Sequence, residues 1–232
     1  GKYTNEQVRQ DVKSYLKHKP NYCLAKNYRA PYLCKEIFNC YTVYLLSGIN
    51  HFNLFYPKTS AIEFLSKSFI VDKDKVIHEE IKTCKLCESI IVNSKLTYDI
   101  FKKIYPEFTY KLKPPLDTTF CIKRLNKEYD KEYDIILICS NFTRESKNNL
   151  FLINVLENKL FNKYKKLVIG ERSDLFKDIV NTTILPLQIH ENCLKYMSKS
   201  KVLLHPAVYE SNSNTIRESY YHKCLPIITR NV

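Results

Sequence analysis

The sequence predicts an α/β protein with two Rossmann-like domains, each built on a parallel sheet flanked by helices. Its 232 residues suit two domains of about a hundred residues each. From residue 133 onward, nearly continuous apolar strands alternate with amphipathic helices, which is typical of a parallel sheet covered on both faces. A lysine-rich run over 123–131 has the character of a connection between domains, so we place the domains at 1–125 and 126–232.

The first domain carries clear start and stop signals for its helices. Thr4 begins an amphipathic helix that Pro20 ends, and Ser94 caps a later helix that ends before Pro106. The predicted elements, in chain order, are helix 4–19, strand 41–47, helix 60–67, strand 69–71, helix 75–88, strand 89–94, helix 95–105 and strand 109–113.

Gly48 is a candidate ligand contact in the first domain. It ends the predicted strand over 41–47, and ligands of parallel sheets gather at the carboxyl ends of the strands. We therefore expect Gly48 to face a ligand in the cleft, with an ordinary turn as the alternative interpretation.

The second domain reads as a regular alternation of strands and helices. The predicted strands are 134–139, 166–169, 183–187, 201–204 and 225–229, and the predicted helices are 149–158, 174–180, 191–199 and 213–222.

Charge and cysteine usage limit the classes of partner and compartment. The formal net charge is +13, with the basic excess mainly before residue 125, which suits an anionic acceptor, a membrane surface or nucleic acid. Nine scattered cysteines form no disulfide framework, and Cys84 and Cys87 lack the further ligands of a zinc site, so we expect them to pack in a core. With no membrane-span-length apolar run and no signal-peptide core, we expect a soluble protein of the cytoplasm.

A stretch over 205–229 carries the main chemical signal. It reads as a strand end, a polar loop, a helix that begins near Ser213 and a second strand. The backbone N–H groups and partial positive charge at a helix start favour a phosphate or diphosphate near Ser213, Asn214 and Thr215. Glu218 on the helix would then reach ribose hydroxyls, and Glu210 in the loop would face whatever the phosphates carry.

This stretch resembles the Glu-x7-Glu signature of retaining, family-4-type glycosyltransferases with the two-domain GT-B architecture. The matching residues are Pro206, Glu210, Asn214-Thr215, Glu218 and the strand Leu225-Pro226-Ile227-Ile228-Thr229, while Ser211-Asn212-Ser213 replaces the family's Gly-Phe-Gly. A second, weaker resemblance covers residues 79–97, which are similar to the end of the family's N-terminal domain. The resemblance implies transfer of a sugar from a UDP- or GDP-linked donor with retention of anomeric configuration. It also implies that the chain is a fragment or a reduced version of the fold.

Two cations complete the expected donor site. Arg144 and Lys147 follow the first strand of the second domain, where an arginine can bind a diphosphate bidentately and a lysine as a point charge. The resemblance places Arg144, Lys147 and Glu210 at the reacting sugar diphosphate and Leu187 beside the base. Because no Asp-x-Asp stands in a loop beside this site, we expect neither a catalytic metal nor any cofactor apart from the donor substrate.

Two other classes of function stay open on the sequence alone. A catalytically inactive nucleotide-sugar-binding or partner subunit would keep the second domain and show binding without turnover. A basic nucleic-acid-binding protein is the weaker alternative, because no basic run alternates with aromatic residues. The acceptor is unknown, and an anionic glycan, lipid or protein would fit the basic first domain, as would peripheral contact with a membrane.

Overall fold

The computed structural model describes residues 20–26, 30–46, 73–115, 122–125, 127–144, 147–207, 210 and 212–229, with residues 7, 10, 11 and 14 before them. The chain divides into two compact units, residues 1–59 with 69–117 and residues 60–68 with 118–232. The division after residue 117 comes shortly before the predicted boundary, because residues 122–125 belong with the second unit. There the Leu125 N–H donates to His222 Nε2 at 3.2 Å.

The first unit contains a three-stranded parallel sheet in the order β1-β2-β3. Its strands are β1 (Tyr22–Lys26), β2 (Tyr41–Leu46) and β3 (Ser89–Val92), and its described helices are α1 (Ala30–Phe38), α2 (Lys73–Leu86) and α3 (Lys95–Ile104). The predicted cap of α3 is confirmed, since Ser94 Oγ accepts from the Thr97 N–H at 3.1 Å. Strand β1 and helix α1 are additional to the prediction, whereas predicted elements over 48–71 and most of 4–19 lie outside the described residues.

The predicted strand over 109–113 is wrong. Residues Pro106–Lys111 form a 3-10 helix, and Leu112 pairs with Ile90 through an isolated bridge. Lys111 Nζ is drawn back onto the end of α2, where it donates to carbonyl oxygens of Cys84, Lys85 and Cys87 at 2.7–3.0 Å. The backbone up to Lys111 is therefore helical where the sequence pattern indicates an extended segment.

Cys84 and Cys87 pack in the core of the first unit, as predicted. Their exposed fractions are 0% and 1%. Burial in this apolar environment raises the pKa of the Cys87 thiol to about 12 and raises the pKa of Cys84 as well. Both residues are protonated thiols at neutral pH and act as small apolar side chains.

The second unit contains a five-stranded parallel sheet in the order β6-β5-β4-β7-β8. The strands are β4 (Tyr133–Asn141), β5 (Lys166–Glu171), β6 (Thr182–Leu185), β7 (Ser200–His205) and β8 (Leu225–Ile228), and the helices are α4 (Asn149–Leu156), α5 (His190–Ser198) and α6 (Asn214–Tyr221). All five predicted strands and three of the four predicted helices are present. Among the described residues, each helix is too short or too polar to span a lipid bilayer.

Residues 174–180 do not form the predicted helix. Their backbone bonds follow a three-residue pattern, as in Lys177 N–H to Asp174 O and Ile179 N–H to Phe176 O. Phe176 and Ile179 are both buried against the face of the sheet that carries Ile135 and Leu137. The apolar spacing that predicted a helix therefore belongs to a short 3-10 segment packed on the sheet.

The strand order brings the sheet's point of reversal to β4 and β7. The chain passes from β4 to β5 and β6 on one side, then returns to β7 and β8 on the other. Connections on the two sides leave in opposite directions, which opens a crevice at the carboxyl ends of β4 and β7. The fold thus places the loops after Cys139 and His205 at the natural ligand site of a doubly wound sheet.

Candidate functional site

A cavity of about 170 Å³ lies at the carboxyl ends of β4 and β7. Its lining combines apolar side chains with polar side chains from three separate segments. The lining residues include Leu137, Cys139, Ser140, Phe142, Arg144, Lys147, Asn149, Leu152, Leu204, His205 and Thr215. The cavity therefore combines apolar side chains with two cations and a helix start.

The loop after β4 is held in place by its own backbone and by β5. Asn141 Oδ1 accepts from the Thr143 N–H at 2.8 Å, and Asn141 Nδ2 donates to Glu171 Oε2 at 3.1 Å. The Phe142 N–H donates to Glu171 O at 3.0 Å. These bonds hold the start of the loop that leads to Arg144 against the end of β5.

Gly170 permits this close approach of β5 to β4. It has φ +149°, and a Cβ at this position would lie 1.8 Å from the carbonyl oxygen of Cys139. Since Cys139 lines the cavity, the absence of a side chain at Gly170 keeps the end of β4 in position.

Lys147, Glu210 and His205 form a connected polar group at the cavity. Lys147 Nζ forms an ion pair with Glu210 Oε1, and His205 Nε2 lies 3.3 Å from the same oxygen. Lys147 and Glu210 are 20% and 16% exposed, so their interaction is only partly screened by water. The carboxylate of Glu210, which follows β7, therefore contacts the ammonium group of Lys147, which follows β4.

Burial controls the charges of this group. Burial, and then the nearby positive charge of Lys147, lower the pKa of His205 to about 4. The contact of His205 with Glu210 is consequently a hydrogen bond from a neutral imidazole at physiological pH. Burial also lowers the pKa of Lys147, and the neighbouring Arg144 charge acts in the same direction. An anionic ligand would relieve this repulsion between cations.

Helix α6 presents its N-terminus to the cavity. Ser213 Oγ accepts from the Ile216 N–H at 3.4 Å, which confirms Ser213 as the cap of the helix. Asn214 Oδ1 accepts from Arg217 Nη2 at 2.7 Å, so this amide is engaged along the helix surface. Thr215 lines the cavity. The helix dipole thus adds a partial positive charge beside the two side-chain cations.

Glu218 lies one turn further along α6 and is buried, with 7% of the residue exposed. His190 Nε2, at the start of α5, lies 2.8 Å from Glu218 Oε1. Residues three apart share a helix face, so Glu218 lies one turn along α6 from Thr215, which lines the cavity. Glu218 is therefore a buried carboxylate close to the cavity.

The predicted site residues separate into three groups. Arg144, Lys147 and Thr215 line one cavity, and Glu210 joins them through Lys147. Ser213 and Asn214 stand at the same helix start, and Glu218 follows on that helix. Leu187 is 55% exposed in the segment after β6 and is separate from the lining, and Gly48 is outside the described residues.

Two histidines of the site were missed by the sequence analysis. His205 is the last residue of β7, where a polar residue at the carboxyl end of a buried strand was a usable signal. His190 begins α5 and meets Glu218 across 28 positions of sequence. No local pattern could indicate that second contact.

The chain matches no protein-family model and no curated protein in sequence. Solved structures do match. Sucrose-phosphate synthase from Thermosynechococcus elongatus superposes with a TM-score of 0.69 and 13% identity over 97% of this chain and 60% of that one. A TarM variant from S. aureus, in complex with Fondaparinux, alpha-GlcNAc-glycerol and UDP, gives 0.68 and 13% over 98% of this chain and 45% of that one.

A third match is Anabaena HepE in complex with UDP and glucose, with a TM-score of 0.67 and 12% identity over 98% of this chain and 62% of that one. This chain therefore spans less than two thirds of each of the three proteins. Together with the two parallel sheets flanked by helices, these matches confirm the predicted GT-B fold.

Proposed function

We propose that this chain takes part in glycosyl transfer from a nucleotide-diphosphate sugar, UDP- or GDP-linked, to an acceptor, with retention of anomeric configuration. The observation that carries the proposal is the cavity at the strand reversal, where Arg144, Lys147 and the start of α6 converge. The matching structures that contain UDP add support through their shared fold.

A diphosphate is the ligand whose charge best suits this cavity. Its two phosphoryl groups can take Arg144 as a bidentate partner and Lys147 as a point charge. The N-terminal backbone of α6, at Thr215, offers N–H donors for the remaining oxygens. Arg144, Lys147 and this helix start would also stabilise the charge that builds on the diphosphate as the sugar departs.

The spacing along α6 supports a nucleoside next to the proposed diphosphate. Thr215 lines the cavity, and Glu218 is three residues further on, about 4.5 Å along the helix axis. A ribose attached to the diphosphate would bring its hydroxyls to Glu218, and the base would lie beyond it, toward Leu187. On the other side of the diphosphate, Glu210 would orient the sugar.

The finer properties of the reaction belong to the same proposal. We assign retention on the resemblance of the Glu210 to Glu218 segment to family-4 glycosyltransferases. We assign independence from a metal ion because no Asp-x-Asp stands in a loop beside this site. We also propose that the transferred group is a hexose, that the compartment is the cytoplasm, and that the acceptor is an anionic glycan, lipid or protein. Peripheral contact with a membrane would follow from a lipid acceptor and the basic charge of the chain.

A thermal-shift screen tests the donor site directly. A ligand that binds the folded state alone must raise its melting temperature, so UDP, GDP, ADP and their glucose conjugates should give a shift with one base. Lys147→Met should abolish the shift, while Lys177→Met, which removes an exposed lysine of the same unit, should retain it. Equal shifts in the two variants would count against the cavity as the diphosphate site.

The two alternatives differ in their response to the same ligands. An inactive partner subunit would show the nucleotide-dependent shift but no release of UDP or GDP from the sugar conjugate. A nucleic-acid-binding protein would show an affinity for oligonucleotides that falls steeply with salt and does not depend on Glu210 or Glu218.

A further inference from the structure

We infer that His190 is a positioning residue that orients the Glu218 carboxylate toward the ribose, and thereby sets the preference for ribonucleotide over dideoxynucleotide donors. This inference rests on the proposed function, because it assumes that a nucleoside diphosphate occupies the cavity. It concerns a residue on α5, outside the strand-loop-helix segment that carries the two glutamates.

The contact itself is close and well placed. His190 Nε2 lies 2.8 Å from Glu218 Oε1 and joins the first residue of α5 to the second turn of α6. An imidazole with its proton on Nε2 donates at this atom to a carboxylate oxygen. The contact therefore defines which oxygen of Glu218 His190 holds.

Glu218 needs such a partner because it is buried. An ionised carboxylate in a largely dry site is costly unless hydrogen bonds compensate it. Glu218 is 7% exposed, while the His190 side chain is 54% exposed. Glu218 also acts on Cys193 of α5. Burial first, and then the charge of Glu218, raise the pKa of the Cys193 thiol. The donated hydrogen bond from His190 holds this charge at the boundary between α5 and α6.

The bond also leaves the carboxylate able to act. A carboxylate has about four lone-pair positions on two oxygens, and His190 occupies one of them on Oε1. This hydrogen bond restricts the rotation of the carboxylate, so the remaining positions can accept from ligand hydroxyls in a narrower range of directions. A ribose supplies hydroxyl donors, whereas a dideoxyribose would leave the buried acceptor unsatisfied, which is a strong basis for discrimination.

A purely structural role predicts a different outcome. If His190 only joined α5 to α6, its removal would weaken the binding of every nucleotide by the same factor or lower stability alone. A positioning role instead changes the ratio between ligands that differ in the ribose hydroxyls.

The experiment measures that ratio by titration calorimetry on the full chain. UDP, or GDP if it binds more tightly, is compared with its 2′,3′-dideoxy analogue in the wild type, His190→Leu, His190→Gln and Glu218→Gln. We expect the preference for the ribonucleotide to fall about tenfold in His190→Leu, as the loss of one oriented hydrogen bond implies. His190→Gln, which keeps an N–H donor at similar reach, should restore most of it.

Asn192→Ala serves as the matched control on α5. Asn192 Nδ2 donates to Gln188 Oε1 at 3.2 Å, so this variant disturbs the start of the same helix without touching Glu218. Its ribonucleotide preference should equal that of the wild type. An unchanged preference in His190→Leu, or an equal loss for both ligands, would overturn the inference while the proposed function stands. Absence of binding by any nucleotide would overturn both.

Discussion

Replacing Glu210 with glutamine should tighten the binding of a free nucleoside diphosphate. Glu210 forms an ion pair with Lys147, which is the cation that we assign to the diphosphate. An incoming phosphate must compete with this carboxylate or displace it. Glutamine keeps the shape and the hydrogen-bonding capacity of the side chain but removes its negative charge.

The size of the effect follows from the geometry around Lys147. Two acceptors held about 2.8 Å from one tetrahedral ammonium nitrogen are about 4.6 Å apart. At that separation, two unit negative charges repel by about 3.6 kcal/mol at an effective dielectric constant of 20. Glu210 is 16% exposed and can rotate away, so we expect about 1.4 kcal/mol to remain, or a tenfold lower Kd. His205, being neutral, does not offset the charge of Glu210.

Calorimetry with UDP and GDP measures this change, and added salt should reduce it because the effect is electrostatic. Glu157→Gln is the control, since it removes an exposed carboxylate at the end of α4. Transfer from the sugar conjugate should move the opposite way and fall, because Glu210 is assigned to orient the sugar. A Kd for UDP or GDP that stays equal or rises in Glu210→Gln would refute the assignment of Lys147 and Glu210 to one shared diphosphate site.

Three further changes test the scaffold of the second unit. Each is measured by urea unfolding followed by tyrosine fluorescence, which suits a chain with 18 tyrosines and no tryptophan. Gly170→Ala should lower the free energy of unfolding by about 3 kcal/mol or more, since its Cβ would meet the Cys139 carbonyl oxygen and its φ is positive; a loss below about 0.5 kcal/mol would show that β4 can shift. His205 stays neutral in the fold down to about pH 4 but binds a proton near pH 6.5 when unfolded, so lowering the pH from 7.5 to 5 should cost about 2 kcal/mol. His205→Asn should remove that share of the pH dependence, and an unchanged slope would contradict it. Lys131→Met should lower the free energy of unfolding by about 1–2 kcal/mol, because Lys131 Nζ lies 2.8–3.4 Å from four main-chain carbonyl oxygens and shares its three protons among them. An equally stable variant would show that water replaces these bonds.

The second unit was predictable because its strands are buried on both faces. A strand such as β4 reads as a continuous apolar run, since Ile135 and Leu137 pack on one face of the sheet and Ile136 on the other. The first unit was harder. In β1 the large side chains of Tyr22 and Leu24 are exposed, and the most buried residue is the small Ala25, so the apolar pattern that identifies a strand is inverted.

Within the candidate site, sequence reasoning found the residues that one continuous segment carries. Glu210, Thr215 and Glu218 follow each other through a loop and a helix, so their spacing alone indicates a shared ligand. The partners of these residues come from elsewhere in the chain. Lys147 meets Glu210 across the strand reversal, and His190 meets Glu218 through the packing of α5 on α6. Such pairs depend on tertiary structure, which no local periodicity encodes.

Several lysines serve the fold, which weakens the basic composition as an argument for an anionic acceptor. The chain has only three glycines, and Asn39 and Lys223 take the left-handed conformation after α1 and α6. Lysine ammonium groups also donate to carbonyl oxygens at helix ends. Lys111 caps the carbonyl end of α2, and Lys131 donates to Ser198 O at the end of α5 and to Lys223 O just beyond α6.

Lys166 extends the same use of lysine into the sheet. It is fully buried and donates to the carbonyl oxygens of Tyr164 and Val180 at 2.9 and 2.8 Å, and burial lowers its pKa. Positive charge at helix carboxyl ends is favourable because the helix dipole is negative there. Part of the net charge of +13 therefore belongs to lysines that donate to backbone carbonyl oxygens inside each unit. A search for the acceptor should therefore test first how well a candidate fits beside the proposed donor cavity, and only then whether it is negatively charged.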